Sequence, residues 1–236
     1  MKRIIAAARL HLLPKSNVIT MTLMVLPIAY IIQLGIVSWL QLQNEQMPGG
    51  GNVGGVYGAV IGALVVTAAM AGAYGVPHAL SLSYSRRVTL AGLVLVFAAS
   101  SLTAGALVAA VIGLEQLTDT FGTGQSMLAI PDLMEPAGAW GLGLVIAATT
   151  MFLMMNGLLA PMLYRRLGTA RMLIVYGLAA VVLLVGGAGI TAAGGWGAVF
   201  SWVVEQNALT WTGWLTLGAL VMTGANWLVI RRIPAA

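Results

Sequence analysis

Apolar residues run almost unbroken through six stretches of this chain, at 18–40, 56–74, 88–112, 139–160, 172–193 and 209–230. Each is close to or above the roughly 20 residues that a helix needs to cross a hydrocarbon layer about 30 Å thick. None alternates with the period of two expected of a barrel strand. A helix also satisfies its own backbone polar groups, which cannot be left bare in lipid. The pattern predicts an all-α integral membrane protein, with one transmembrane domain over 1–236 and six transmembrane helices.

The polar positions between these runs separate by sign. All eleven basic residues fall on one side of the predicted layer: Lys2, Arg3, Arg9 and Lys15 before the first span, Arg86 and Arg87 between the second and third, Arg165, Arg166 and Arg171 between the fourth and fifth, and Arg231 and Arg232 after the sixth. All six acids fall on the other: Glu45, then Glu115, Asp119, Asp132 and Glu135, then Glu205. Lys and Arg collect on the cytoplasmic side, so both N and C termini are expected in the cytoplasm. A missed or extra crossing would scramble this segregation. Tryptophan and tyrosine favour the headgroup level, and Trp39, Trp140, Trp196, Trp202, Trp211 and Trp214 sit near the acidic ends, with Tyr74, Tyr84, Tyr164 and Trp227 near the basic ones.

Composition agrees with lipid as the solvent. Hydrophobic residues make up 60% and charged residues only 7%, against about 25% charged in an ordinary soluble domain. The net charge of +5 therefore reports orientation, and nucleic acid is not expected as a partner. The absence of cysteine excludes disulfides, thiolate metal sites and a cysteine nucleophile.

Three connecting segments stand out. On a helical wheel 1–15 places Ile4, Ile5, Ala8 and Leu12 opposite Lys2, Arg3 and Arg9, as an N-terminal interfacial amphipathic helix would. With Pro14 and Lys15 interrupting it and no small-residue cleavage site after it, this segment is expected to be retained. The stretch 194–208 is apolar and aromatic but short, and fits either a re-entrant or interfacial hairpin or a plain hydrophobic loop. The loop 75–87 is the longer of the two on the basic side, with room for one or two helical turns at 79–84.

Candidate chemistry is mostly excluded. The glycine-dense stretch 49–55 lacks the Lys and Ser or Thr of a phosphate-binding loop, so no ATPase site is expected in this chain. His11 and His78 are isolated, which argues against a metal centre. No carboxylate falls inside a predicted span, and none of the spans pairs a serine with a histidine. The chain is therefore not expected to be an enzyme. Proton- and sodium-coupled carriers usually bury ionisable groups within the bilayer, so uphill transport would need energy from another chain. Gln33, Asn156 and Asn226 suit either interhelical hydrogen bonding or, for Gln33 and Asn156, substrate contact. Gly54, Gly58 and Gly62 recur every fourth residue, and Gly186, Gly187 and Gly189 do something similar, suiting close helix packing within the chain or between subunits.

The sequence from Pro77 through His78, Ala79, Leu80, Ser81, Leu82, Ser83, Tyr84 and Ser85 to Arg86, Arg87 and Gly92, in the setting of six spans and an amphipathic N-terminus, resembles the ABC-2 type transporter permeases, the membrane subunits of bacterial ABC exporters. The likeness covers about sixteen residues by sequence and the whole chain by architecture. Members often read Phe-Ala-Leu-x-x-Gly-x-Ser-Arg-Arg here, and this chain has His78 and Ser83 where that pattern has Phe and Gly. The resemblance implies a multi-pass protein of the bacterial plasma membrane. It implies a coupling helix at 75–87 that docks on a separate soluble ABC ATPase subunit. It further implies a dimer with a second permease copy or close relative, surrounding membrane lipids, and ATP and magnesium on the partner, with no cofactor in this chain. The function so implied is outward movement of an amphipathic or apolar substrate such as a drug, lipid or peptide. Two other classes fit the residues: a non-transporting membrane scaffold or sensor partner, and a membrane-embedded lipid-modifying enzyme built on Asp119, Asp132 and Glu135.

Overall fold

The computed structural model describes residues 5–8, 18–42, 54–122 and 127–232, and all regular structure among them is helical. We number the longer elements α1 (Val18–Leu42), α2 (Gly54–Met70), α3 (Val76–Ser81), α4 (Arg86–Gly122), α5 (Pro131–Met134), α6 (Gly138–Ala192), α7 (Trp196–Glu205) and α8 (Ala208–Ile230), with a π-helical turn over Ala71–Gly75. Among the described residues five helices are long and apolar enough to cross a bilayer, as in a multi-pass membrane protein: Thr20–Leu40, Gly55–Ser81, Arg86–Asp119, Gly138–Ala192 and Ala208–Ile230.

The count of five reflects α6, which holds the fourth and fifth predicted spans in one 55-residue element. At 1.5 Å per residue such a helix would reach about 80 Å. It is broken at Gly168, whose φ of 73° and ψ of 173° are not helical. That backbone conformation is essentially reserved for glycine.

The core forms around the first limb of α6, residues 138–167, which packs on α2, α4 and α8. Small residues make these approaches possible. A methyl group added at Gly105 of α4 would overlap the Gly143 carbonyl of α6. At Gly157 it would stand 2.8 Å from the Val65 carbonyl oxygen of α2. Asn226 of α8 donates to the Met155 carbonyl of α6 at 2.9 Å, so it does join two helices. The glycines singled out by spacing behave otherwise: Gly58, Gly62, Gly186, Gly187 and Gly189 would each place a methyl group in open space. The every-fourth-residue pattern identifies a small-residue stripe, but not whether the chain covers that stripe itself.

The second limb of α6 is bare. After Met172 no residue of α6 is buried, and every position from 173 to 186 is exposed.

Two helices run past the ends that their apolar lengths suggested. The second span was expected to stop at 74, yet the helix continues through the π turn and α3 to Ser81. Pro77 has no N–H to give, and its ring crowds the carbonyl four residues back. That residue, Ala73, lies in the wider π turn, so the helix widens instead of ending. Gly72 in the same turn is held close to α6, where an added methyl would lie 2.7 Å from both the Leu158 carbonyl oxygen and the Pro161 ring. The third span was expected to end at 112, but α4 continues to Gly122. Its 37 residues reach about 55 Å, beyond the hydrocarbon layer.

The 194–208 stretch contains a ten-residue helix, α7, none of whose residues is buried. It joins α8 through an aromatic cluster in which the Trp202 ring lies 5.9 Å from Trp211 and 6.2 Å from Trp214. Of the N-terminal segment, residues 5–8 are helical, with Ala7 and Ala8 buried against Gly92 and Ile5 exposed. The remainder of the amphipathic helix expected over 1–15 lies outside the described residues, as do His11, Glu45 and the glycine run at 49–53.

Candidate functional site

At the basic end, α3 and α4 are joined by four residues. The amides of Leu82, Ser83 and Tyr84 close the end of α3 by bonding to the carbonyls of His78, Leu80 and Ala79. Ser81 Oγ donates to the His78 carbonyl at 2.7 Å. Ser83 takes a φ of 63°, the left-handed conformation that glycine adopts without steric cost and other residues rarely do. Ser85 starts α4 by accepting from the Val88 amide at 3.4 Å, the N-cap arrangement that serine favours.

The predicted docking residues divide sharply by exposure. His78, Ser81, Leu82, Ser83 and Arg87 are exposed, Pro77, Leu80 and Arg86 are partly covered, and Ala79 is fully buried. The surface offered at this end is therefore carried by Leu82 and the polar residues around it, without Ala79. Two hollows flank the turn: one of about 330 Å³ between Ala6, Leu82, Ser83 and Val88, and one of about 440 Å³ between Leu80, Tyr84, Arg86 and Arg87. Arg87 also stands over the Trp227 ring, 5.6 Å from its centroid, bringing the start of α4 beside the end of α8.

The opposite end holds a group that sequence spacing placed in a loop. Glu115 lies on α4 itself and is only 2% exposed. Its Oε1 accepts from the Tyr30 hydroxyl of α1 at 2.9 Å, and its Oε2 accepts from the Leu128 amide at 3.2 Å. The Leu128 carbonyl in turn accepts from the Tyr57 hydroxyl of α2. Met127 and Leu128 are fully buried, so this short segment closes the end of the bundle. The Phe121 ring meets Tyr30 edge-on at 6.3 Å. The carboxylate thus ties α1, α4 and the 127–130 segment together, with α2 joined through Leu128. The signal available in the sequence was the buried stripe Ala104, Val108, Ile112, whose helical spacing reaches Glu115 next.

The remaining candidates are not brought together. The Asn156 amide donates to the Phe152 carbonyl at 2.8 Å, one turn back on its own helix. Gln33 is partly buried beside Gly55, where a methyl would lie 3.9 Å from its Oε1. Asp119 and Glu135 are both exposed, and among the described residues no three His, Asp or Glu side chains group as a metal ion would require. Comparison with protein-family models, with curated proteins and with solved structures finds no match to this chain.

Proposed function

We propose that the chain is the membrane-spanning permease subunit of an ATP-driven exporter of the ABC-2 type. In this reading α6 crosses twice, its limbs 138–167 and 169–192 turning at Gly168, which makes six crossings with both termini in the cytoplasm. Arg165, Arg166 and Arg171 flank that break, at the side where basic residues collect. A separate ATPase carrying ATP and magnesium supplies the energy, and two permease chains form the working unit around an amphipathic or apolar substrate.

The observation that carries this reading is the backbone of Ser83. The chain departs from the family pattern by a serine where glycine is usual, yet the residue keeps the positive φ of 63° that explains the glycine. The turn that resembles a coupling element therefore has the backbone such a glycine would serve. A partner pressing on Leu82 would move α3, which is continuous with α2 through the π turn, and Gly72 of that turn lies against Leu158 and Pro161 of α6. Displacement of the turn is so communicated to the central helix.

Replacing Leu82 with Asp tests this. The side chain is 49% exposed, so the fold should tolerate the change, while a carboxylate desolvated in an apolar partner groove should weaken docking by a few kcal/mol. Expected are normal membrane levels of Leu82→Asp with loss of ATPase copurification and of transport. A variant that still copurifies with an ATPase and still transports would remove the coupling role from this turn.

A further inference from the structure

The seam between the first turns of α4 and the last turns of α8 is open. A groove of about 690 Å³ runs along it, walled by Leu90, Val94 and Ala98 on α4 and by Gly224 and Trp227 on α8, with Arg87 at its basic end. The one hydroxyl that borders it, on Thr223, already donates to the Ala219 carbonyl at 2.8 Å. Arg87 is steadied by the Trp227 ring, and a cation–π contact of that kind does not use up its N–H donors.

Length and charge together define the occupant. From Arg87 to Ala98 the helix rises about 16 Å, close to half of a hydrocarbon core about 30 Å thick. The groove is therefore one leaflet deep. Arg231 follows Trp227 by four residues, hence on the same helix face, and both Arg231 and Arg232 are exposed. Among the described residues no acid lies at this end of the helices. What fits must be apolar over the depth of a leaflet and anionic at one end. Basic pockets between membrane helices recognise anionic lipid headgroups in this way.

We propose that this groove is a binding site for an anionic glycerophospholipid, with an acyl chain along Leu90, Val94 and Ala98 and the phosphate at Arg87, one helical turn from Arg231. The site belongs to the chain as a membrane-embedded protein and holds whether or not the chain transports anything. It also explains an open glycine: a methyl at Gly224 would meet nothing within 4 Å, so a larger side chain there would fill the groove without displacing its walls.

The test uses the full chain in nanodiscs of equal phosphatidylglycerol and phosphatidylcholine. Lipids retained after release into detergent are weighed by native mass spectrometry, and a phosphatidylglycerol with a photoactivatable acyl chain maps the contact. The wild type should retain phosphatidylglycerol preferentially and cross-link at Leu90 and Val94. Arg87→Gln should lower that preference roughly fivefold, the attraction of one arginine for an anionic surface, leaving phosphatidylcholine unchanged. Gly224→Leu, a better helix former than glycine, should abolish cross-links at Leu90 and Val94 while cross-links to exposed Leu183 persist. Equal retention of the two lipids, no effect of Arg87→Gln, or cross-links spread evenly over α4 and α6 would each overturn the proposal. So would loss of the groove cross-links on self-association, which would make a second copy the occupant.

Discussion

Burying a carboxylate costs several kcal/mol unless donors and charge offset it, so the two hydrogen bonds that Glu115 accepts from Tyr30 and Leu128 define its role at the acidic end. Replacing Glu115 with Ala leaves a tyrosine hydroxyl and a buried backbone amide without this acceptor, and should lower stability by about 2–4 kcal/mol. Glu115→Gln retains one oxygen and should cost about half as much. Thermal unfolding in detergent reads both, and an alanine variant as stable as the wild type would show that the carboxylate holds nothing. This residue escaped the sequence reading for a physical reason. A span measured by apolar length ends where the first charge appears, and nothing in the spacing of Tyr30 marks its hydroxyl as turned toward a carboxylate 85 positions away. His78 and Ser83 lay within a recognisable stretch, but only the backbone showed that position 83 is left-handed.

Among the elements, apolar length located every long helix and misjudged two ends, both where the helix had a reason to continue. Pro77 reads as a breaker, yet the π turn before it absorbs the crowding, and the added length of α4 carries Glu115, which accepts from the Leu128 amide. The break in α6 shows the opposite case, in which Arg165, Arg166 and Arg171 mark the boundary and a single glycine makes it. With a φ of 73° and a ψ of 173°, Gly168→Ala should cost about 1–3 kcal/mol or force the limbs to reorient. Spin labels at exposed Leu144 and Leu184 report the angle between the limbs through their separation. The expected result is a lower melting temperature with a shifted or broadened distance distribution. An alanine variant matching the wild type in both would mean that the break does not depend on glycine.

For the molecule as a whole, the segregation of charge is the strongest feature of the sequence, because it depends on no single residue. The structure adds packing that the sequence could not show: a core around residues 138–167 of α6, and a second limb exposed at every position from 173 to 186. An exposed apolar helix is what lipid or another subunit covers, and hydropathy alone does not tell a limb packed on its own chain from one that faces lipid, because both surroundings are apolar. The proposed six-crossing arrangement would put Ser85 and Ala170 on the cytoplasmic side and Glu135 outside. The chain has no cysteine, so single cysteines can be introduced without background, and all three positions are exposed. Glu135→Cys should react with a membrane-impermeant maleimide in intact cells. Ser85→Cys and Ala170→Cys should react only after the membrane is opened. Ala170 is the decisive position, since it lies just past the break at Gly168. Labelling of Ala170→Cys from outside, with Ser85→Cys protected, would show that α6 does not turn back on the cytoplasmic side and would leave the six-crossing topology without support.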